Sequence, residues 1–222
     1  MFAFAVHDED SGQLVLARDR LGIKPLFYHW SGETLLAGSE MKALFASDML
    51  VPELDPSAIR GYFRHQFSVS PQTPFRGVKE LPPGYTMTLS TNAEPLLEQY
   101  WDLAFPQDGD YESLDEEFWL GRFEDALDDA ARSHMIGDVP IGAYLSGGID
   151  SAATTHLLKK HTSAQGGSAA QVQSYTIGFA NPTNDESALA KEIAQHLGVP
   201  NEVVNVDDQT AEALLESLRQ SI

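Results

Sequence analysis

The sequence predicts two architectures in series, an α+β region followed by an α/β region. Three observations predict it. The first hundred residues carry apolar runs of strand length, divided by turns rich in Gly, Ser and Pro. Residues 102–113 then interrupt the pattern with Pro106, Gly109 and the carboxylates Asp102, Asp108, Asp110 and Glu112, a segment with little to bury. Beyond it the apolar spacing changes from two to 3.6, and strand-like runs alternate with helical ones. That order produces a parallel sheet with crossover helices.

In the first region, Phe2–Val6 and Leu14–Ala17 are strand candidates around a polar turn whose Ser11-Gly12 supplies the bend. Leu26–Trp30 and Thr34–Ala37 form a hairpin around Ser31-Gly32. Glu40–Phe45 reads as a helical turn. Asp55-Pro56, followed by Ala58, Ile59, Tyr62 and Phe63, reads as a capped helix with proline in its first turn. Pro71 to Pro83 is a proline-punctuated loop, and Tyr85–Leu89 a strand with Tyr85, Met87 and Leu89 on one side.

In the second region, Ser113 and Glu116 have capping-box spacing. Trp119, Phe123, Ala126, Leu127, Ala130 and Ala131 trace one helical face, and Glu116, Glu117, Glu124, Asp125, Asp128 and Asp129 a solvated opposite one. Ile141–Leu145, Val172–Phe179 and Val203–Val206 are strands. Ser151–Lys160, Glu186–Leu197 and Ala211–Leu218 are helices. The second has Ala188, Leu189, Ile193 and Leu197 on one face and closes at Gly198 and Pro200; the third is capped by Asp207 or Asp208. Gln165–Gln171 reads as a linker. The three tryptophans, Trp30, Trp101 and Trp119, read as packing residues.

Composition narrows the function. Fourteen Lys+Arg against 33 Asp+Glu give a formal net charge of −19, which argues against a nucleic-acid partner, because such proteins need a cationic face. It leaves room for phosphate at a small site built from backbone dipoles. The apolar share of 42% is that of an ordinary globular chain. Cysteine is absent, which excludes disulfides, thiolate metal sites and a cysteine nucleophile within these residues. The seven histidines show no HxxxH or HExxH pair, so a zinc site is not expected. No apolar run is long enough to span a bilayer, and a cytoplasmic protein is expected.

The motif that carries chemistry is Ser146-Gly147-Gly148-Ile149-Asp150-Ser151, where a predicted strand passes into a helix. In an open α/β sheet, ligands bind at the carboxyl ends of strands. The two glycines let the backbone approach a ligand and turn amides inward, two serines add hydroxyls, and the helix start adds partial positive charge. That set favours phosphate. Asp150 would repel it unless a cation lay between, so the site calls for Mg²⁺ with a nucleoside triphosphate. The Walker pattern GxxxxGK[ST] is missing. Asp185-Glu186, opening the next helix, are a weaker candidate that a simple cap explains at least as well.

This string resembles the pyrophosphate loop of the ATP-pyrophosphatases, which split ATP between its α and β phosphates. The N-terminal half narrows the resemblance. Met1–Ala5, Ala17-Arg18-Asp19-Arg20-Leu21-Gly22-Ile23-Lys24-Pro25-Leu26, Gly38–Leu44 and Thr73–Gly84 stand in order and resemble the class II glutaminase domain of glutamine-dependent asparagine synthetases. The resemblance implies the C-terminal part of an Ntn-type glutaminase β-sandwich over 1–101 and a linker over 102–115. It implies the start of a doubly wound parallel ATP-pyrophosphatase domain over 116–222.

It also implies ATP and Mg²⁺ as the bound groups. Leu145 and Ile177 would touch adenine through backbone groups. Ser146, Gly147, Gly148, Asp150 and Ser151 would meet pyrophosphate and metal, Asp150 through Mg²⁺. The small-molecule substrates that the resemblance implies are ATP, aspartate and glutamine, and a homodimer is a family expectation. Ser39-Glu40 and Arg18–Lys24 match patterned segments of the family and are expected to serve ion pairing and loop closure. The family's glutaminase nucleophile is an N-terminal cysteine, and Met1 aligns inside that domain. The chain therefore reads as a fragment lacking both ends, with no catalytic residue to assign, inactive alone and poorly soluble or oligomerising. Other readings are an asparagine synthetase-like amidotransferase, a β-lactam synthetase-like ligase, or a truncated nucleotide-binding homologue without catalysis.

Overall fold

Alternation in the first two apolar runs becomes an antiparallel hairpin. In the computed structural model, which describes residues 1–107, 115–137, 139–164, 172–181, 183 and 185–221, β1 (Ala3–Asp8) pairs with β2 (Gln13–Arg18), Phe4 opposite Ala17. The turn between them is held by the Asp8 carboxylate, which accepts from the Asp10 amide at 3.0 Å and the Ser11 hydroxyl at 2.6 Å. Gly12 completes it at φ 68°, a left-handed conformation that favours glycine. The chain divides into two compact units, Met1–Asp110 and Tyr111–Ile222.

In the first unit the next hairpin joins β3 (Phe27–Trp30) to β4 (Leu35–Gly38), with Trp30 opposite Leu35. Then come α1 (Met41–Phe45) and α2 (Pro56–His65). The Asp55 carboxylate caps α2 by accepting from the Ser57 and Ala58 amides. Only Ala58 of its apolar face is buried, and Tyr62 and Phe63 are exposed. The proline loop contains a two-residue strand, β5 (Lys79–Glu80), paired with β3. β6 (Tyr85–Leu89) follows as expected, and then β7 (Leu96–Gln99), which the sequence pattern does not announce. All four β7 residues are exposed, so burial imposes no alternation on them.

These strands make a four-stranded sheet, β1-β2-β6-β7, and a three-stranded one, β4-β3-β5. One core serves both. Leu16 and Met87 come from the first sheet, Tyr28 from the second, and Leu26 and Leu81 from flanking loops. Each such apolar side chain removed from water contributes about 1.5–3 kcal/mol.

Beside this core, the 18–24 loop closes on two charged residues. The buried Arg18 guanidinium donates to the carbonyls of Gly22, Lys24 and Leu81, each at 2.8 Å, and pairs with Glu80 at 2.8 Å. Asp19 accepts from the amides of Phe2, Leu21, Ile23 and Lys24 at 3.0–3.2 Å. Burial works against its charge, but those amides outweigh it and lower its pKa to about 2. Arg18 and Asp19 thus spend their polar capacity on loop closure.

The second unit begins with α3 (Glu116–His134), where the Asp115 carboxylate accepts from the Phe118 amide at 2.9 Å. The capping box called for Ser113, which lies outside the described residues, as do residues 108–112 and the 165–171 linker. The apolar face predicted for α3 is corrected. Only Leu127 and Ala131 of that face are half-buried, whereas Trp119 and Phe123 are exposed. Conversely, Asp128 is not on a wholly solvated face. It is half-buried and accepts from Lys160 Nζ at 2.7 Å, on the helix α3 packs against.

That helix is α4 (Ile149–Ala164), which leaves β8 (Gly142–Tyr144) and starts two residues before the expected Ser151. It leads to β9 (Gln173–Phe179), α5 (Ser187–Leu197), β10 (Asn201–Val206) and α6 (Asp208–Ser221). Asp207 caps α6, accepting from the Thr210 amide at 2.8 Å. Gly198 ends α5 at φ 62°. The strands are parallel in the order β8-β9-β10.

Ala143 packs with Leu158 of α4, and Leu145 with Ala190 and Ala194 of α5. Ala143 and Leu145 are two residues apart, so both helices cover one face of the sheet. The predicted face of α5 shifts accordingly. Ala190 and Ala194 are the buried residues, with Ile193 against them, while Ala188 and Leu189 are exposed. Small residues let this helix approach the strands closely.

Candidate functional site

The site grows from the end of β8. Leu145 is the last residue before the glycines and is only 2% exposed. Its amide donates to the Tyr175 carbonyl at 2.8 Å, and its carbonyl accepts from the Thr176 hydroxyl at 2.7 Å. Both backbone groups of Leu145 therefore have partners on β9. The register of β8 with β9 ends at Tyr144 opposite Tyr175, but β9 runs on to Phe179. The length beyond Tyr175, paired with β10 but no longer with β8, borders a cleft of about 340 Å³ at the carboxyl ends of the two strands, where open α/β sheets take ligands.

Leu145, Ser146, Ser151, Ile177 and Glu186 line this cleft. Ser146 and Ser151, both in its lining, bind each other, Oγ to Oγ at 2.9 Å. The Ser146 amide donates to Ser151 Oγ at 3.1 Å, and the Gly148 amide to Ser146 Oγ at 3.2 Å. The Gly147 amide donates to Glu186 Oε2 at 3.0 Å. Three successive amides thus point at oxygen acceptors, one of them a carboxylate. A loop whose amide already holds a carboxylate oxygen fits an anion by the chemistry of its donors. The residues present fit a phosphate group, and Ser146, Gly147, Gly148 and Ser151 are the ones that would hold it.

The seven residues singled out in the sequence are brought together unequally. Leu145, Ser146, Ser151 and Ile177 face the cleft, and Gly147 and Gly148 form the turn beside it. Ile177 is about half exposed, on the sheet face that the helices leave open. Asp150 is exposed in the first turn of α4 and is not among the cleft-lining residues. Among the described residues, no three His, Asp or Glu side chains converge on one point.

Asp185 and Glu186, a weaker candidate pair that a cap explains as well, take different roles in the structure. Glu186 stands at the cap position of α5, but its side chain makes no cap bond there. Asp185 does that work: it accepts from the Ser187 hydroxyl at 2.9 Å and from the Ser187 and Phe179 amides at 3.2 Å each, and these bonds, the hydroxyl's above all, lower its pKa. Thr176 is the residue that sequence reasoning missed. The alternation of β9 places its hydroxyl on the covered face, a signal readable only once the strand's orientation is known. Among the described residues, no helix is long and apolar enough to cross a membrane.

The two halves of the chain each match a known family model. Residues 1–101 match a glutamine amidotransferase domain, and residues 122–221 match asparagine synthase. Among curated proteins, the chain is 33% identical to "Amidase chry2" of Gibberella zeae over 94% of its own length and 32% of that protein's. It is 34% identical to "Asparagine synthetase [glutamine-hydrolyzing] 3" of Bacillus subtilis, over 81% of the chain and 28% of the relative. It is 32% identical to a "Putative asparagine synthetase [glutamine-hydrolyzing]" of Mycobacterium tuberculosis, over 95% of the chain and 32% of the relative. The chain spans about a third of the length of these relatives. A glutamine amidotransferase region followed by an asparagine synthase region, with asparagine synthetases among its relatives, establishes that the chain belongs to the glutamine-dependent asparagine synthetase family.

Proposed function

We propose that this chain belongs to an ATP-dependent amide ligase that makes asparagine from aspartate with nitrogen from glutamine. In this reading the triphosphate tail of ATP lies over Ser146–Ser151, with the base in the cleft between Leu145 and Ile177. A carboxylate oxygen of aspartate attacks the α-phosphorus and pyrophosphate leaves. Ammonia released from glutamine then attacks the acyl carbon and AMP leaves. Asp150 is the residue that would hold Mg²⁺, whose charge would offset the repulsion between this carboxylate and a phosphate. The domain limits that go with this reading are 1–101 for the amidotransferase part and 116–222 for the ATP-using part.

The single observation that carries the reading is the run of three loop amides facing oxygen acceptors at the cleft. Because Leu145 has partners for both backbone groups, base recognition falls to the exposed length of β9 around Ile177 and to apolar contact. A second reading, amide transfer to a different acceptor, draws on the relatives named amidases in Gibberella zeae and Penicillium rubens.

The test is pyrophosphate release by the full-length protein that carries this chain, with ATP, Mg²⁺ and candidate acceptors. Release dependent on aspartate, and cut at least tenfold in Asp150→Asn without loss of fold, is the expected result. Release dependent on another carboxylate would favour the second reading. Full turnover in Asp150→Asn would overturn the metal role.

A further inference from the structure

The contact between Glu186 and Gly147 has no place in the reaction described above. It joins the cap position of one crossover helix to the phosphate loop ahead of the other, 39 residues away in sequence. Glu186 also lines the cleft, and the bond of 3.0 Å takes the central one of three amides facing oxygen acceptors. The helix it precedes reinforces the placement: a methyl group on Gly147 would come within 2.9 Å of Leu189 Cδ2 and 3.6 Å of Glu186 Cβ. Asp185, one residue earlier, satisfies the amide of Ser187 at the head of α5, so Glu186 is spared for the loop.

A carboxylate oxygen and a phosphate oxygen compete for the same amide hydrogen. They also repel each other when both are close. A ligand phosphate can take the Gly147 amide only by displacing Glu186, and the displaced carboxylate stays at the cleft wall. We propose that Glu186 is a positioning residue that sets the loop's affinity for anions, by holding the Gly147 amide until a phosphate replaces it. The proposal rests on the reading of Ser146–Ser151 as a phosphate site. Charge-assisted hydrogen bonds are about twice as strong as neutral ones, so removing the charge shifts the competition toward the ligand.

The probes are inorganic pyrophosphate and ATP, each with Mg²⁺, binding to the full-length protein and to its Glu186→Gln, Glu186→Ala and Ser151→Ala variants by calorimetry. Hydrogen exchange at residues 146–148 is followed alongside. Glu186→Gln and Glu186→Ala are expected to bind pyrophosphate about tenfold more tightly than the parent. Their Gly147 amide is expected to exchange faster in the absence of ligand. Damage to the fold would weaken binding, so a gain in affinity separates competition from a structural role. If the parent binds and Ser151→Ala weakens it, but the Glu186 variants bind equally or worse, the competition is overturned and the loop reading stands. If the parent and the Glu186 variants all fail to bind either ligand, while their melting curves match, the phosphate reading itself falls and the proposal with it.

Discussion

The Thr176 hydroxyl donates to the Leu145 carbonyl at 2.7 Å, joining residues 31 apart in sequence at the point where β8 gives way to the glycine loop. The same Thr176 oxygen accepts from Asn201 Nδ2 at 3.0 Å, and Ser174 Oγ takes a second Asn201 bond at 2.9 Å. Polar side chains thus tie all three parallel strands together on the face that the helices cover.

Thr176→Val keeps the side-chain shape and removes the hydroxyl. The Leu145 carbonyl, nearly sealed from water, then loses its donor. The expected loss of stability is about 1–3 kcal/mol, because an unsatisfied buried polar group bears its desolvation cost. Urea unfolding of the parent and variant measures it, and an unchanged midpoint would contradict the role given to this bond.

Gly147→Ala sets a methyl group against the end of the Leu189 side chain. Leu189 is half exposed and can move aside, so the expected stability loss is small, about 1 kcal/mol. Pyrophosphate affinity should fall with it, as the loop shifts away from its amide geometry. Adding Leu189→Ala should restore most of the loss in both melting temperature and binding. Failure of that rescue would show that the glycine is needed for ligand approach and not for helix approach.

Asp19 ties its loop to the acid limb of stability. Its pKa in the folded state is about 2, below the ordinary aspartate value near 3.8. The folded chain therefore binds fewer protons than the unfolded one across that interval. The stabilisation is complete above about pH 4 and lost as pH falls toward 2. It amounts to about 2 kcal/mol. Denaturation at pH 7 and pH 3 should show Asp19→Asn less stable than the parent at pH 7, with the gap narrowing on acidification. A gap independent of pH would contradict the ionised state.

Arg18→Lys tests the fork geometry nearby. The guanidinium serves three carbonyls and Glu80 from a buried position, and one ammonium cannot reach that many partners along the same directions. Carbonyls left without donors should cost about 2 kcal/mol or more. A fall in melting temperature with unchanged pyrophosphate binding is expected, since Arg18 belongs to the first unit and Ser146–Ser151 to the second. Loss of binding would couple the 18–24 loop to Ser146–Ser151.

Local pattern was enough to find most of the elements and the place where chemistry was to be sought. Period-two runs became β1 to β4 and β6, and the alternation after residue 140 became a parallel sheet with crossover helices. The SGGxDS string pointed to a strand end because glycines, hydroxyls and a helix start have one common use there. Asp55 and Gly198 marked helix ends through local hydrogen bonding, which needs only neighbours in sequence. Tertiary structure decided which faces are used. It put Ala190 and Ala194 of α5 inward where periodicity chose Ala188 and Leu189, and left Trp119 and Phe123 in solvent. It paired β7, which has no buried side chain to reveal it, and turned Glu186 from a cap into a partner of Gly147. Periodicity counts residues along one element, whereas burial and long-range hydrogen bonds depend on what a second element brings alongside it.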